Sequence, residues 1–333
     1  MLTFLVRRVV YMVPTVFLIS VVSFAIIQLP PGDYLSTMIA QMEANGVTLD
    51  DAQIEALRRR YGLGEPIYVQ YYQWISSIVL RGDFGQSFEW GRPVSEILAQ
   101  RLPLTAMVAV VTLLVTWVIA FPIALYSAVR QYSAGDYVFT TIGFLGLAIP
   151  NFLLALLLMY FGYKYFGQSV GGLFSPAYVD ASWNLGKVLD LLGHLWVPVV
   201  VLGTAGTAGL IRILRANLLD EIRKPYVVAA RARGVPERRL LLRYPLRVAL
   251  NPFISTVGWV LPTLVSGEVI VSQVLSLPTT GPVLLTALMS QDMYLAGSII
   301  LMVSLLTVVG TLISDVLLAK LDPRVRLSAG GSS

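Results

Sequence analysis

The stretch from Lys224 to Phe253 reads "KPYVVAARARGVPERRLLLRYPLRVALNPF" and carries seven Lys or Arg residues between two strongly apolar regions. Pro225 suits the first turn of an α-helix, and Gly234 suits the left-handed position that follows a helix C-terminus. Pro236 then predicts the start of a second short helix, "PERRLLLRY". This part of the chain therefore predicts a basic helix-turn-helix elbow, residues 225–244, inside an otherwise apolar protein.

The composition excludes an ordinary soluble domain. Hydrophobic residues make up 56% of the 333 residues and charged residues 13%, with a mean hydropathy of +0.74, whereas soluble domains carry about 25% charged residues. A bilayer core about 30 Å thick accommodates apolar helices of about 20 residues. We therefore expect an all-α integral membrane protein. With no cysteine and a single histidine, His194, the sequence predicts no metal site, and no nucleophile with a neighbouring base indicates catalytic residues.

Six apolar stretches have the length of membrane helices. They divide the chain into an N-terminal part with the first span (residues 1–29), an intervening segment (30–102), a five-helix core (103–320) that contains the loop 215–248, and a tail (321–333). The predicted spans are Val9–Leu29, Pro103–Val129, Val138–Tyr163, Leu192–Leu214, Ala249–Leu275 and Tyr294–Lys320.

The distribution of positive charge predicts the orientation. If both termini are cytoplasmic, the inner segments hold sixteen Lys and Arg residues and the outer segments eight, six of which lie in the long segment 30–102. Short cytoplasmic loops carry such an excess. The loop 215–248 is therefore predicted to be cytoplasmic and segment 30–102 extracytoplasmic. The basic pI of about 9.4 then reflects membrane orientation, and nucleic-acid binding is not predicted.

The segment 30–102 has helix signals of its own. Thr48 can cap a helix through "LDDAQIEALRRRYG", and Pro66 can start another helix that runs toward Leu80. The sequence therefore predicts a small helical segment outside the membrane.

One face of the first elbow helix combines two alanines with a tyrosine and an arginine. Tyr226, Ala229, Ala230 and Arg233 share this face by their three- and four-residue spacings, with Arg231 at its flank. Small side chains allow another surface to approach closely. A plain basic loop would explain neither the two proline starts, nor the glycine stop, nor the alanine face, so we interpret the elbow as a docking element.

The elbow resembles the EAA loop of permease subunits in binding-protein-dependent ABC importers, whose pattern is Glu-Ala-Ala, three residues, then Gly. The pattern falls on Val228-Ala229-Ala230 and Gly234, with Val in place of the leading Glu. Six further motifs occur in the order typical of the dipeptide, oligopeptide and nickel permease group, so the resemblance covers nearly the whole chain. They are "PPGDYL", "YGLGEPIYVQYYQWI", "LRGDFGQSF", "RPVSEILAQRLPLT", "LAIPNFLLALLL" and "LDPRVRL".

This resemblance implies a type I ABC importer permease fold in a bacterial or archaeal inner membrane. It implies three kinds of protein partner besides lipid: two ATPase subunits that bind ATP and Mg, a second and paralogous permease subunit, and an extracytoplasmic solute-binding protein. The chain itself has no G-x-x-x-x-G-K-[ST] phosphate loop, so we expect no cofactor here and ATP hydrolysis in the partners. The implied ATPase-coupling residues are Pro225, Tyr226, Ala229, Ala230, Arg231, Arg233 and Gly234.

Three residues are candidates for the translocation path. Asn151 follows a proline in the third span and either lines the path or forms an interhelical hydrogen bond. Glu268 is an unusual charge in the fifth span and lies either in the path or at the outer interface. Gln273 stands where the family usually has a glutamate.

The sequence leaves more than one cargo and more than one class of transporter open. Peptides are the family-level default and oligosaccharides the second choice, because the binding protein largely sets specificity. An ion-coupled secondary carrier would need membrane acids for the coupling ion, and only Glu268 fits that role.

Overall fold

Long apolar runs form the long helices of the chain, and segments that begin at or after a proline form several of the short ones. The computed structural model describes residues 2–28, 39, 50, 54, 65–167, 170–256 and 269–321. Regular secondary structure in these residues is helical apart from one isolated antiparallel bridge between Gln86 and Pro93. The helices are α1 (Leu2–Gln28), α2 (Ile67–Arg81), α3 (Val94–Val129), α4 (Ala134–Ala148), α5 (Asn151–Phe166), α6 (Leu185–Ile222), α7 (Pro225–Ala232), α8 (Glu237–Arg243), α9 (Pro245–Ser255), α10 (Thr280–Met289) and α11 (Met293–Leu321).

Four described helices are long and apolar enough to cross a membrane. They are Val6–Ala25, Val94–Val129, Leu185–Ile222 and Met293–Lys320, and they contain most of the first, second, fourth and sixth predicted spans. The fifth predicted span, Ala249–Leu275, includes residues 257–268, which lie outside the described residues. The described residues therefore give four spans, or five if the bent pair α4 and α5 counts as one.

The third predicted span is broken in two. α4 and α5 meet at an angle of 100° around Ile149 and Pro150. Proline disfavours helical geometry in the residue before it, and Ile149 is extended, with φ −87° and ψ 119°. The single helix expected over Val138–Tyr163 is therefore replaced by two helices of 15 and 16 residues.

One compact unit comprises residues 1–9, 106–278 and 307–333. Its main core packs the end of α3 and the C-terminal third of α6 against α9. Alanines spaced four apart on α3 present little bulk to the leucines of α6, which allows the helices to approach closely. The fully buried members are Ala120, Ala124, Leu214 and Leu218, joined by Ala128, Leu210, Leu246, Ala249, Phe253 and Ile254.

The second compact unit comprises residues 10–105 and 279–306. α2 begins after Pro66, as predicted, and ends at Gly82, whose φ of +66° favours glycine. The helix predicted after Thr48 lies outside the described residues. The core of this unit joins the start of α3 to α10 and α11 through Val94, Ile97, Leu98, Val283, Ala287, Leu295, Ala296 and Ile299.

A buried carboxylate organises the second unit. Asp292, just before α11, has no exposed surface. It accepts hydrogen bonds from the Ser87 hydroxyl at 2.5 Å, from the Glu89 amide at 3.1 Å and from the Leu295 amide at 3.1 Å. The Leu295 bond satisfies one of the orphan amides at the start of α11. Asp292 thus ties residues 87–89 to the last helix.

Candidate coupling site

The elbow has the helix boundaries that its prolines and glycine predict. Pro225 is the first residue of α7, and Lys224 before it is extended. Gly234 has φ +78°, and a Cβ there would meet no atom within 4 Å, so backbone conformation rather than space favours glycine. α8 follows Pro236 at once. The two short helices are thus joined by a turn of four residues, 233–236.

The two elbow helices share a small apolar core. Val227 and Leu240 are fully buried, Ala230 is nearly so, and Val235 packs against them. Full burial of a Val or Leu side chain contributes about 1.5 to 3 kcal/mol. Ala230 therefore points into the elbow, although the sequence placed it on the outward face with Ala229.

An ion pair closes the elbow on its solvent side. The Arg231 Nε and Nη2 atoms donate to the two carboxylate oxygens of Glu237 at 3.1 and 2.6 Å. The guanidinium lowers the pKa of Glu237, with a hydrogen bond as the main cause. Both side chains are about half exposed, and exposed ion pairs are weak. The apolar core, rather than this pair, accounts for most of the elbow's stiffness.

A second carboxylate joins the elbow to the long helix α6. Glu221, in the last turn of α6, accepts hydrogen bonds from the Lys224 ammonium and, at 2.6 Å, from the Tyr226 hydroxyl. Burial, assisted by Glu221, raises the pKa of Tyr226 far above its ordinary value, so the hydroxyl remains a donor. Side-chain hydrogen bonds, as well as the backbone, therefore connect α7 to α6.

A partly buried ion pair links α6 to the start of α4. Arg215 donates from Nε to Asp136 Oδ1 at 3.1 Å and from Nη2 to Oδ2 at 2.8 Å. Asp136 is almost completely buried and also accepts from the Tyr132 amide at 3.0 Å. Bidentate Arg–carboxylate pairs fix orientation as well as distance. The elbow, α6 and the bent pair α4–α5 therefore form a continuous set of contacts.

The other predicted coupling residues lie on the outside of the elbow. Tyr226, Ala229, Arg231, Arg233 and Gly234 are exposed, as is Pro225. Together they form an outward surface in which Ala229 is the smallest side chain apart from glycine. The structure thus divides the predicted set into an exposed group and the buried Ala230.

The path candidates are placed only in part. Asn151 is the half-buried first residue of α5, directly after the 100° break. Gln273 is exposed in the helical segment 269–274, and Glu268 lies outside the described residues. No hydrogen bond joins the side chains of Asn151 and Gln273 in the described part of the chain. Their assignment to a translocation path stays a prediction.

Sequence reasoning missed three carboxylates that hold this site together. Asp136 follows Ser133 by three residues, the spacing of a capping box, and the Ser133 hydroxyl does accept from the Asp136 amide at 3.3 Å. Glu237 lies in the first turn of α8, where acidic residues are favoured. Glu221 precedes Lys224 by three residues, a spacing at which opposite charges can pair. The bond from Tyr226 to Glu221 and the pairing of Asp136 with Arg215 are visible only in the folded chain.

Comparisons with protein families identify the class of membrane protein to which the chain is similar. Residues 120–327 match the family "Binding-protein-dependent transport system inner membrane component", and residues 1–109 match the N-terminal family of the same membrane components. The chain belongs to this family. The two matches cover the elbow, the helices around it and the N-terminal part as well.

Curated relatives match over almost their full length. The chain is 35% identical over 327 residues to the oligopeptide transport system permease protein AppB of Bacillus subtilis, covering 98% of this chain and 99% of AppB. It is 31% identical over 329 residues to the glutathione transport system permease protein GsiC of Escherichia coli, with 98% and 99% coverage. A putative peptide permease protein of Brucella ovis is 30% identical, with 93% and 94% coverage.

A solved structure shows the same fold. A chain of the MetNI methionine ABC transporter, in an inward-facing conformation, superposes with a TM-score of 0.53 at 16% identity. The match covers 68% of this chain and 97% of that chain. The architecture is therefore the ABC importer permease fold, built here on four to five described apolar spans.

Proposed function

We propose that this chain is the permease subunit of an ATP-driven peptide importer and that its elbow docks on a separate ATPase subunit. The observation that supports the proposal is the elbow itself, which is exposed on its outer side and has an apolar core of its own. Glu221 and Arg215 connect it to helices that lead into the membrane. Closure of two ATPases around ATP and Mg would draw two such elbows together. The membrane helices would then reorient around the cargo.

Peptides are the cargo that the relatives favour over oligosaccharides. AppB is named for oligopeptides, GsiC for glutathione and the Brucella protein for peptides. We propose an assembly of two ATPases, this subunit, a paralogous permease and an extracytoplasmic peptide-binding protein. Asn151, Glu268 and Gln273 remain the proposed path residues. An ion-coupled carrier would predict uptake that depends on an ion gradient in place of ATP.

Orientation is part of the proposal, with both termini and the elbow in the cytoplasm. The chain contains no cysteine, so single cysteines report sidedness without background labelling. Arg239→Cys, on the exposed side of α8, is expected to react with a membrane-impermeant maleimide only after the inner side of the membrane becomes accessible. Labelling of intact, right-side-out cells would refute the orientation.

The coupling role is tested by adding bulk at two adjacent alanines. Ala229→Trp places an indole on the outward face, and we expect an assembled complex whose peptide uptake and binding-protein-stimulated ATP hydrolysis fall by about tenfold or more. Ala230→Trp places the same indole in the elbow core, where overpacking destabilises the fold by about 1 to 3 kcal/mol. The two variants separate loss of docking from loss of the elbow.

Arg239→Trp is the matched control, because it adds the same side chain to an exposed position of α8 outside the predicted surface. Uptake by reconstituted complexes, with binding protein and ATP present, is the measurement. Wild-type coupling in an assembled Ala229→Trp complex would contradict the docking model, as would equal loss in the control.

A further inference from the structure

An apolar groove lies where the end of α3 meets the second elbow helix, α8. It encloses about 420 Å³, which is within the range of about 300 to 1,000 Å³ found for ligand sites. Both helices contribute apolar walls, with Leu125 and Val129 on α3 and Leu241 and Leu242 on α8. Val129 and Leu242 are each about half exposed, so part of this apolar lining has no protein cover within the chain.

Two arginines stand on the same groove. Arg130 follows the last residue of α3, and Arg238 lies in the first turn of α8. Both are exposed. A groove lined by aliphatic side chains and two guanidinium groups is amphipathic, with an apolar part and a strongly cationic part.

The wall beneath Arg130 is fixed in place by aromatic packing. The Tyr126 ring lies 5.6 Å from the Arg130 guanidinium carbon and 5.9 Å, edge on, from the Phe139 ring. A Cβ at Gly135 would fall 2.6 Å from the Tyr126 hydroxyl, so only glycine leaves room for this ring. The groove is therefore largely preformed.

Arg130 and Arg238 differ from nearby arginines in their ion pairing. Arg215 pairs with Asp136 and Arg231 with Glu237. In the described part of the chain, neither Arg130 nor Arg238 forms an ion pair with a carboxylate. Their positive charge is available to an anionic ligand, and guanidinium groups pair well with phosphate oxygens.

We propose that this groove binds one anionic phospholipid, with its phosphate on Arg130 and Arg238 and an acyl chain along Leu125, Val129, Leu241 and Leu242. Such a lipid is apolar where the groove is apolar and anionic where it is cationic. Basic pockets at the cytoplasmic end of membrane helices have this character. The proposal rests on the orientation proposed above, which places α8 at the inner leaflet. A bound lipid would brace the elbow against α3.

Phosphatidylglycerol is the probe, titrated onto the intact importer in detergent and counted by native mass spectrometry against phosphatidylcholine. Arg130→Gln and Arg238→Gln are each expected to weaken phosphatidylglycerol binding by about fivefold, because each basic residue near a lipid surface contributes about that factor. The double variant is expected to lose more than tenfold. Arg239→Gln, a neighbouring exposed arginine that does not line the groove, is the control and is expected to change binding by less than twofold.

Leu242→Trp tests the apolar half, because it fills the groove and leaves both arginines in place; we expect phosphatidylglycerol binding to fall as in the single arginine variants. Equal loss in the Arg239→Gln control would reduce the effect to general surface charge and overturn the proposal. Equal binding of phosphatidylcholine, or displacement of the lipid by inorganic phosphate, would also overturn the proposal. The same holds if the groove in the intact importer is covered by an ATPase subunit and binds no lipid. Lipid counting needs neither transport nor a membrane, so its failure is distinct from failure of the coupling and orientation experiments.

Discussion

Asp292, before α11, and Glu237, at the start of α8, each hold two chain segments together, but they do so in opposite surroundings. Asp292 is fully buried and accepts hydrogen bonds from the Ser87 hydroxyl and from backbone amides that include those of Glu89 and Leu295. Glu237 is exposed and pairs with Arg231. A buried acceptor cannot be replaced by water when it is removed, whereas an exposed one can. Burial, and not formal charge pairing, therefore decides how much each carboxylate stabilises the fold.

The same contrast explains the pKa directions of the two groups. Burial raises the pKa of Asp292 above its ordinary value, although its hydrogen bonds act in the opposite direction. The Arg231 guanidinium lowers the pKa of Glu237. Within the described residues, Asp292 has no paired cation, whereas Glu237 is paired with Arg231. The two sites should thus respond differently to mutation and to acid.

The largest effect is expected for Asp292→Ala. It leaves the Ser87 hydroxyl and the backbone amides around it without their buried acceptor, and we expect a loss of about 3 kcal/mol in the free energy of unfolding. Asp292→Asn keeps one acceptor oxygen and is expected to lose less. Chemical denaturation of the detergent-solubilised protein measures both losses. A stability equal to wild type in Asp292→Ala would show that burial does not set the contribution of this carboxylate.

An intermediate effect is expected when pH is varied. Because the pKa of Asp292 is raised on folding, the part of its contribution to stability that depends on protonation is fully present below the unfolded pKa of about 3.9 and is lost as pH rises through the folded value, whereas the hydrogen bonds that its oxygens accept remain. The lowered pKa of Glu237 gives the opposite sign: its contribution is present above about 4.3 and is lost as pH falls through the folded value. The measurement is the unfolding midpoint of wild type, Asp292→Ala and Glu237→Gln between pH 3 and 7. The difference between each variant and wild type, plotted against pH, gives one slope for Asp292 and one for Glu237. Slopes of the same sign would contradict the opposite pKa directions of Asp292 and Glu237.

The smallest effect is expected for Glu237→Gln at neutral pH. The exposed bridge to Arg231 is lost, but Val227, Ala230 and Leu240 still hold the elbow together. We expect a melting temperature close to that of the surface variant Arg239→Gln and peptide uptake near the wild-type rate. Loss of coupling in Glu237→Gln without loss of assembly would assign the elbow's stiffness to the ion pair.

Local signals in the sequence predicted the elbow well. Proline at a first turn and glycine after a helix end act within a few residues, so Pro225, Gly234 and Pro236 placed α7 and α8 correctly. Membrane spans were also predictable from apolar length, and four long helices confirm that part. Motif order identified the family before any fold was known.

Long-range contacts were not predictable in the same way. Which side of α7 is buried depends on α8, because Leu240 covers Ala230 and leaves Ala229 outside. The Arg215–Asp136 pair joins residues 79 positions apart, and no local spacing encodes it. The proline at position 150 is compatible with a break in the third predicted span, which was expected as a single helix, and the angle of 100° depends on how α4 and α5 each pack on α6.

That 100° turn has a consequence for hydration. At Ile149 and Pro150 one helix ends and another begins, so the last carbonyl groups of α4 and the first amides of α5 lack the partners that a continuous helix would give them. Hydrocarbon offers no hydrogen bonds to such groups. Wherever this corner sits within the bilayer, it requires a polar lining or a wetted crevice, and a lipid-facing position is the one environment that it does not tolerate.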